Sequence, residues 1–324
     1  MRKLKILITA IVFVFLSCNV NEETPEPIET RGYDMLLIGN SFFKPYAQKL
    51  NAMAVDAGFE NHNATVVFRG GDNGRPLNFW NDTSSEAHNQ IKMTLDQGNI
   101  DFFGMTAGKL PDNPTDGFRE WIEYALQNNP DITVFLSIPP PDYPSNWPQL
   151  AEERGFSNIQ EVYTDFVKEN IHNSLVDELR AEFTSTLIFT IPTGWACINL
   201  AQMNLDNLLL DEIEMSGAVE TSIFVDPKGH QGEIVKQTGG LVWLNSLYDI
   251  DLSTNTYETR SYVKTLHVRR AFCTISIHKI VNRSFIFLFK DSHMNNIFSN
   301  KSLCVYLRDT HLSVFSKNNN VINI

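Results

Sequence analysis

Hydrophobic positions over the first 250 residues alternate between two periods. Short, nearly continuous apolar runs bounded by turn residues read as buried strands. Longer stretches with apolar residues every three or four positions read as amphipathic helices. The run at 33–38 (YDMLLI) ends at Gly39 and leads into a helical segment at 42–57, with Pro45 suited to its first turn. The pattern then predicts a strand at 64–68, a helix at 84–97, a strand at 100–105 and a helix at 115–127. A strand at 132–138 is stopped by Pro139, Pro140 and Pro141. A longer helix at 159–179 carries Val167, Ile171, Leu175 and Leu179 as a stripe at every fourth residue, and a fifth strand follows at 187–191. A last helical segment spans about 232–248. Strands alternating with helices imply an α/β fold with a parallel sheet covered on both faces. Ligands of such sheets bind beyond the carboxyl ends of the strands.

Three further segments differ in character. The start is basic (Arg2, Lys3, Lys5), and residues 6–16 are almost wholly apolar but too short for a helix to span a bilayer. Residues 1–17 therefore read as a signal peptide. Phe15-Leu16-Ser17-Cys18 resembles a bacterial lipobox with Phe15 where Leu is more usual, which implies lipidation of Cys18 and an anchor in the cell envelope, outside the cytoplasm. Residues 18–32, with four Glu and two Pro, read as a solvated tether, and the folded domain is expected at 33–259. Residues 260–324 contain no Gly, Pro, Glu or Gln, although folded segments use Gly and Pro to punctuate turns. This tail is either a small basic extension or sequence foreign to the domain.

Charge sharpens that division. The net charge is −12, but residues 1–259 hold 16 Lys+Arg against 36 Asp+Glu, whereas the tail holds 10 against 2. An acidic domain argues against nucleic acid or an anionic membrane surface as partner, and leaves a lipid anchor as the membrane contact. The four cysteines, at 18, 197, 273 and 304, form no Cys-x-x-Cys pair, which speaks against a zinc ribbon or a disulfide scaffold. Asp72, Asp82, Asp112 and Asp116 lack metal-binding spacing, and no metal or organic cofactor is expected.

Candidate chemistry lies where strands end. Ser41 follows the first strand on a tight turn into a helix, where a hydroxyl is exposed and a backbone N–H can stabilise an oxyanion. A serine hydroxyl needs a base, usually a histidine oriented by a carboxylate. Asp226-Pro227-Lys228-Gly229-His230 places an acid and a histidine on one loop. Each signal alone has a plain alternative: Ser41 as a helix cap, and the loop as solvated surface. The five tryptophans read as packing rather than sugar platforms, although Trp80 and Trp147 fall near the expected active edge, and residues 139–147 are placed to wall a cleft there.

Together these stretches resemble a family. Residues 34–41 (DMLLIGNS) are similar to the first block of the SGNH (GDSL-like) hydrolases, with Asn40 where Asp is commoner, and residues 226–230 resemble the last block. The resemblance covers about residues 33–252. It implies a flavodoxin-like three-layer α/β/α sandwich and hydrolysis of carboxylic esters, often acetyl or acyl esters on carbohydrates. Ser41 would be the nucleophile, His230 the general base and Asp226 its orienting acid, with the Ser41 N–H as one oxyanion donor. The second block's oxyanion glycine maps to Gly71, with Gly70 as fallback. The third block departs: counting from Asp101 puts Gly108 in the glycine position but Leu110 in that of the asparagine. Asn73 is the candidate replacement amide, and Asn113 a weaker one. The last block carries three residues between Asp226 and His230 instead of two. The expectation is an extracytoplasmic serine esterase, with an acylated glycan as one kind of ester substrate. The rival is an envelope-attached binding protein that keeps the fold without turnover. A flavodoxin-like nucleotide site is disfavoured, because residues 39–41 are too short and Gly-poor to cradle a phosphate.

Overall fold

In the computed structural model the described residues are 31–250, 252 and three strands within 304–323. The expected signal peptide at 1–17, the lipidation site Cys18, the tether as far as residue 30 and the tail from 260 to 303 lie outside them.

Five strands form one parallel sheet: β1 (Asp34–Gly39), β2 (Asn63–Phe68), β3 (Phe102–Thr106), β4 (Thr133–Ser137) and β5 (Ile188–Ile191). Their order is β2-β1-β3-β4-β5, the flavodoxin-like arrangement, and every pairing is parallel. All five strands expected from the apolar runs are present, shifted by no more than two residues. β1 and β4 are buried along nearly their whole length, as strands covered on both faces must be.

Helices cover the two faces. On one side α1 (Lys44–Asp56) packs along the final helix of the domain, Glu233–Tyr248, where Trp243 meets Phe135 of β4 edge-on at 5.3 Å. On the other lie α2 (Pro76–Asn81), α3 (Glu86–Leu95) and α4 (Phe118–Leu126). The result is a three-layer α/β/α sandwich. Ser85 caps α3, its side chain accepting from the His88 N–H at 3.2 Å. After β4 come α5 (Trp147–Glu153) and a continuous helical stretch that begins as α6 (Ile159–Asp165), winds with wider turns over Phe166–Val176, and ends as α7 (Asp177–Glu182). The four-residue stripe of Val167, Ile171, Leu175 and Leu179 is buried throughout.

Three helices escape the periodicity argument. α2 and α5 are each a turn or two long, and α8 (Gly194–Leu205) is buried over all of its first eight residues, so no apolar stripe stands out. Beyond α8, β6 (Glu214–Ser216) and β7 (Ser222–Phe224) make a small separate pair before α9 (Glu233–Tyr248). β8 (Cys304–Arg308), β9 (His311–Phe315) and β10 (Val321–Asn323) form an antiparallel meander of their own. Among the described residues, no helix is long and apolar enough to cross a membrane.

Candidate active site

The sheet order reverses between β1 and β3, and the crevice at such a switch point lies beyond their carboxyl ends. Ser41 sits there. The carbonyl of Asn40 accepts from the N–H groups of Phe43 and Lys44, at 3.1 and 3.0 Å, and the Asn40 side chain accepts from Phe42 N–H at 3.0 Å. Asn40 therefore closes the turn that starts α1. Among the described residues, the Ser41 N–H, in the turn that leads into α1, donates no hydrogen bond.

His230 reaches Ser41 from the opposite end of the domain. Its Nε2 lies 2.7 Å from Ser41 Oγ, and its Nδ1 lies 2.5 Å from Asp226 Oδ2. The second carboxylate oxygen, Oδ1, accepts from the backbone N–H groups of Gly229 at 3.0 Å and His230 at 3.1 Å. Those two bonds fix the carboxylate within its own loop, so Nδ1 carries the proton and Nε2 faces the serine as acceptor. Burial would raise the Asp226 carboxyl, but the hydrogen bonds from the His230 ring and from the two backbone N–H groups outweigh it and hold the group below its ordinary value. The extra residue in the loop is absorbed at Gly229, whose φ of +97° would strain any side chain. The longer Asp226-to-His230 spacing is thus compatible with contact.

Several supporting groups carry no motif. Phe42 stacks on the His230 ring at 4.8 Å and 19°, and is itself held by Gln231, whose Nε2 donates to Phe42 O at 2.9 Å. Both residues adjoin the motifs, so proximity in sequence is a usable signal for them. Asp142 comes from the loop after β4 and has no such signal; its carboxylate lies 3.8 Å from Lys228 Nζ. Burial raises the Asp142 carboxyl above its ordinary value, an effect that Lys228 and then His230 partly offset. Residues 139–147 do border the loop of Asp226 and His230: Tyr143 N–H donates to Lys228 O at 3.0 Å, and Pro144 packs where a Gly229 side chain would stand.

The loop after β2 packs against the serine turn through Gly74. A Cβ there would lie 2.3 Å from Arg69 O and 2.7 Å from Gly39 O, so only glycine allows the approach. At Gly70 and Gly71 the same space is open. Asn73, next to Gly74, is exposed and its amide makes no hydrogen bond among the described residues, whereas Asn113 Nδ2 donates to Asp116 Oδ1 at 2.5 Å. Leu110 is partly buried against the core and supplies no donor. Trp80 and Trp147 are both packed: Trp80 meets Trp121 edge-on at 4.8 Å, and Trp147 donates from Nε1 to Pro141 O at 3.0 Å. A shallow groove of about 530 Å³ runs along the outer edge of β2, lined by residues that include Lys44, Val66 and Phe68; none of Ser41, Asp226 and His230 lines it. Among the described residues, no cluster of His, Cys, Asp or Glu could hold a metal ion.

No family model matches the chain, and no curated protein does. Among solved structures, it is similar to the periplasmic domain of a lipopolysaccharide acetyltransferase from Salmonella ser. Paratyphi A. That match has 12% identity and a TM-score of 0.38, over 68% of this chain and 84% of the other. At that level of similarity, chemistry has to be read from the site itself.

Proposed function

We propose that this chain is a serine esterase that hydrolyses carboxylic esters through Ser41, His230 and Asp226. The observation that carries the reading is the continuous path from Ser41 Oγ through the His230 ring to Asp226, at 2.7 and 2.5 Å, between residues 189 positions apart. Ser41 Oγ would attack the ester carbonyl while His230 Nε2 takes its proton. The oxyanion would be met by the Ser41 N–H at the start of α1. His230 then returns the proton to the departing alcohol, leaving an acyl group on Ser41, and a water deprotonated by His230 releases the acid. Asp226 stabilises the imidazolium that forms at each step.

For the second oxyanion donor, the loop at 70–74 is the proposed source. Asn73 has an unpaired amide beside the close approach at Gly74, and the Gly71 N–H is the backbone alternative. The proposed setting is the cell envelope, with Cys18 lipidated and the ester substrate one such as an acylated glycan. The rival reading, a binding protein without turnover, draws on Leu110, which leaves the third block without its amide.

The test is a chromogenic acetyl ester assayed with wild type and Ser41→Ala. The esterase reading requires hydrolysis that the substitution removes. Background activity unchanged by Ser41→Ala would leave the binding protein as the better account.

A further inference from the structure

Large apolar side chains that stay exposed are few in this domain, and one of them hangs beside the catalytic loop. Tyr143 is 50% exposed, and no other aromatic ring stacks on it among the described residues. Its neighbour Trp147, the more obvious platform by sequence, is only 5% exposed and packed edge-on against Phe224.

The Tyr143 backbone makes the exposed ring harder to explain as packing. Its φ of 57° and ψ of 71° are left-handed. The other described non-glycine residues with positive φ are Asn207 and Asp249, types whose short polar side chains tolerate that region; a bulky aromatic does not. The conformation is held by Tyr143 N–H donating to Lys228 O at 3.0 Å and by Tyr143 O accepting from Asn146 N–H at 2.8 Å. Any residue but proline could make those two bonds, and Asn or Gly would make them with less strain. What tyrosine adds is a flat ring in solvent, fixed to the loop that carries His230. Strain of this kind gathers at ligand sites.

The side of the reaction follows from the chemistry. In the proposed mechanism the oxyanion points to the α1 N-terminus, while His230 must reach the oxygen of the leaving alcohol to protonate it. On that geometry the alcohol side is assigned to the loop that carries His230, to which Tyr143 is bonded through Lys228. We propose that Tyr143 is a specificity-determining residue which stacks on a flat, apolar ring face of the alcohol part of the ester; this rests on the esterase reading. The ion pair between Asp142 and Lys228, at 3.8 Å, joins the same two loops.

Three probes separate the possibilities: phenyl acetate carries a ring on the alcohol, methyl benzoate carries one on the acyl group, and methyl acetate has none. Tyr143→Asn suits the left-handed backbone, so the variant should fold with an unchanged or higher Tm. We expect it to raise KM for phenyl acetate about tenfold more than for either other ester, the scale of one aromatic stack, with kcat affected less. Tyr143→Phe should restore the wild-type KM. An equal change for all three esters, no selective change for phenyl acetate, or a loss confined to methyl benzoate would overturn the assignment. Binding separates this claim from turnover. Saturation transfer from Ser41→Ala protein to phenol should fall severalfold when Tyr143→Asn is added, and equal transfer would overturn the proposal even if no Ser41-dependent hydrolysis exists to measure.

Discussion

Replacing Asp226 by asparagine exchanges one carboxylate oxygen for an amide nitrogen and, in the proposed esterase mechanism, should remove most of the ester hydrolysis. Two backbone donors, from Gly229 and His230, already point at Oδ1 at 3.0 and 3.1 Å. In D226N the amide oxygen would take that position, so the NH₂ group would face His230 Nδ1. The ring would then carry its proton on Nε2 and present a donor, not an acceptor, to Ser41. Turning the amide over would give up both backbone bonds, worth ~0.5–1.5 kcal/mol each, so the wrong tautomer is favoured by about 2 kcal/mol. The lost charge adds to this. A carboxylate about 4 Å from an imidazolium contributes roughly 4 kcal/mol at an effective dielectric near 20. The Asp226 side chain is 39% exposed, and solvent screening reduces the contribution to about 2 kcal/mol. The combined ~4 kcal/mol corresponds to roughly a 10³-fold slower reaction. Initial rates on a chromogenic acetyl ester from pH 6 to 9 would read it, with kcat carrying the loss, KM changing by a few-fold and Tm nearly unchanged. A loss below tenfold would mean that Asp226 does not set the tautomer of His230, and the mechanism would need another orienting group.

Three further outcomes are expected. Gly74→Ala would push a Cβ into Arg69 O and Gly39 O, an overpacking worth about 1–3 kcal/mol, and should lower both Tm and ester hydrolysis; Gly70→Ala, with open space, should change neither, and equal effects would disconnect Gly74 from the serine turn. His62 lies at the other end of the sheet, where Nδ1 accepts from the Tyr248 hydroxyl at 2.6 Å and Nε2 donates to Asn51 Oδ1 at 2.9 Å. Burial lowers its pKa despite the opposing pull of Asp34, so the unfolded chain binds the proton first: its contribution to stability is complete above the ordinary value near 6.5 and is lost as the pH falls below it. Thermal melts between pH 8 and 5 should show that loss, and H62Q should flatten it; identical slopes would refute the assignment. Trp121, fully buried with its Nε1 donating to Pro76 O at 3.0 Å, should cost about 3–5 kcal/mol when truncated to Ala, read as a lower denaturant midpoint, and a change under 1 kcal/mol would contradict its place in the core.

Much of this molecule is written in local pattern. Apolar runs such as residues 33–38 and 132–138 mark strands because a parallel strand covered on both faces has to be apolar throughout, and the intervening helices follow from their own period. Strand-helix alternation then restricts the chain to a parallel sheet with covered faces. Ser41 was legible for the same reason: a serine just past a buried strand stands at the ligand end of the sheet. Elements without a clean period, such as α8 and the short α2 and α5, were not legible, because burial on all sides or extreme brevity erases the stripe.

Tertiary structure alone decided what meets at that end. Nothing in the spacing of residues 226–230 says that their turn, one residue longer than the family pattern, still carries a carboxylate to the ring; the left-handed Gly229 does that. The sequence reading named Gly71, with Gly70 as fallback, for an oxyanion N–H, but nothing in the spacing of that loop says that Gly74 is the glycine packed on the serine turn; only backbone proximity to Gly39 distinguishes it. Asp142 and Tyr143 likewise belong to a loop whose partner lies more than eighty residues further along. Secondary structure follows from short-range sterics and solvation, which neighbouring residues dictate; the reach of Ser41 to His230 depends on sheet order and loop closure, which the whole packed core settles at once.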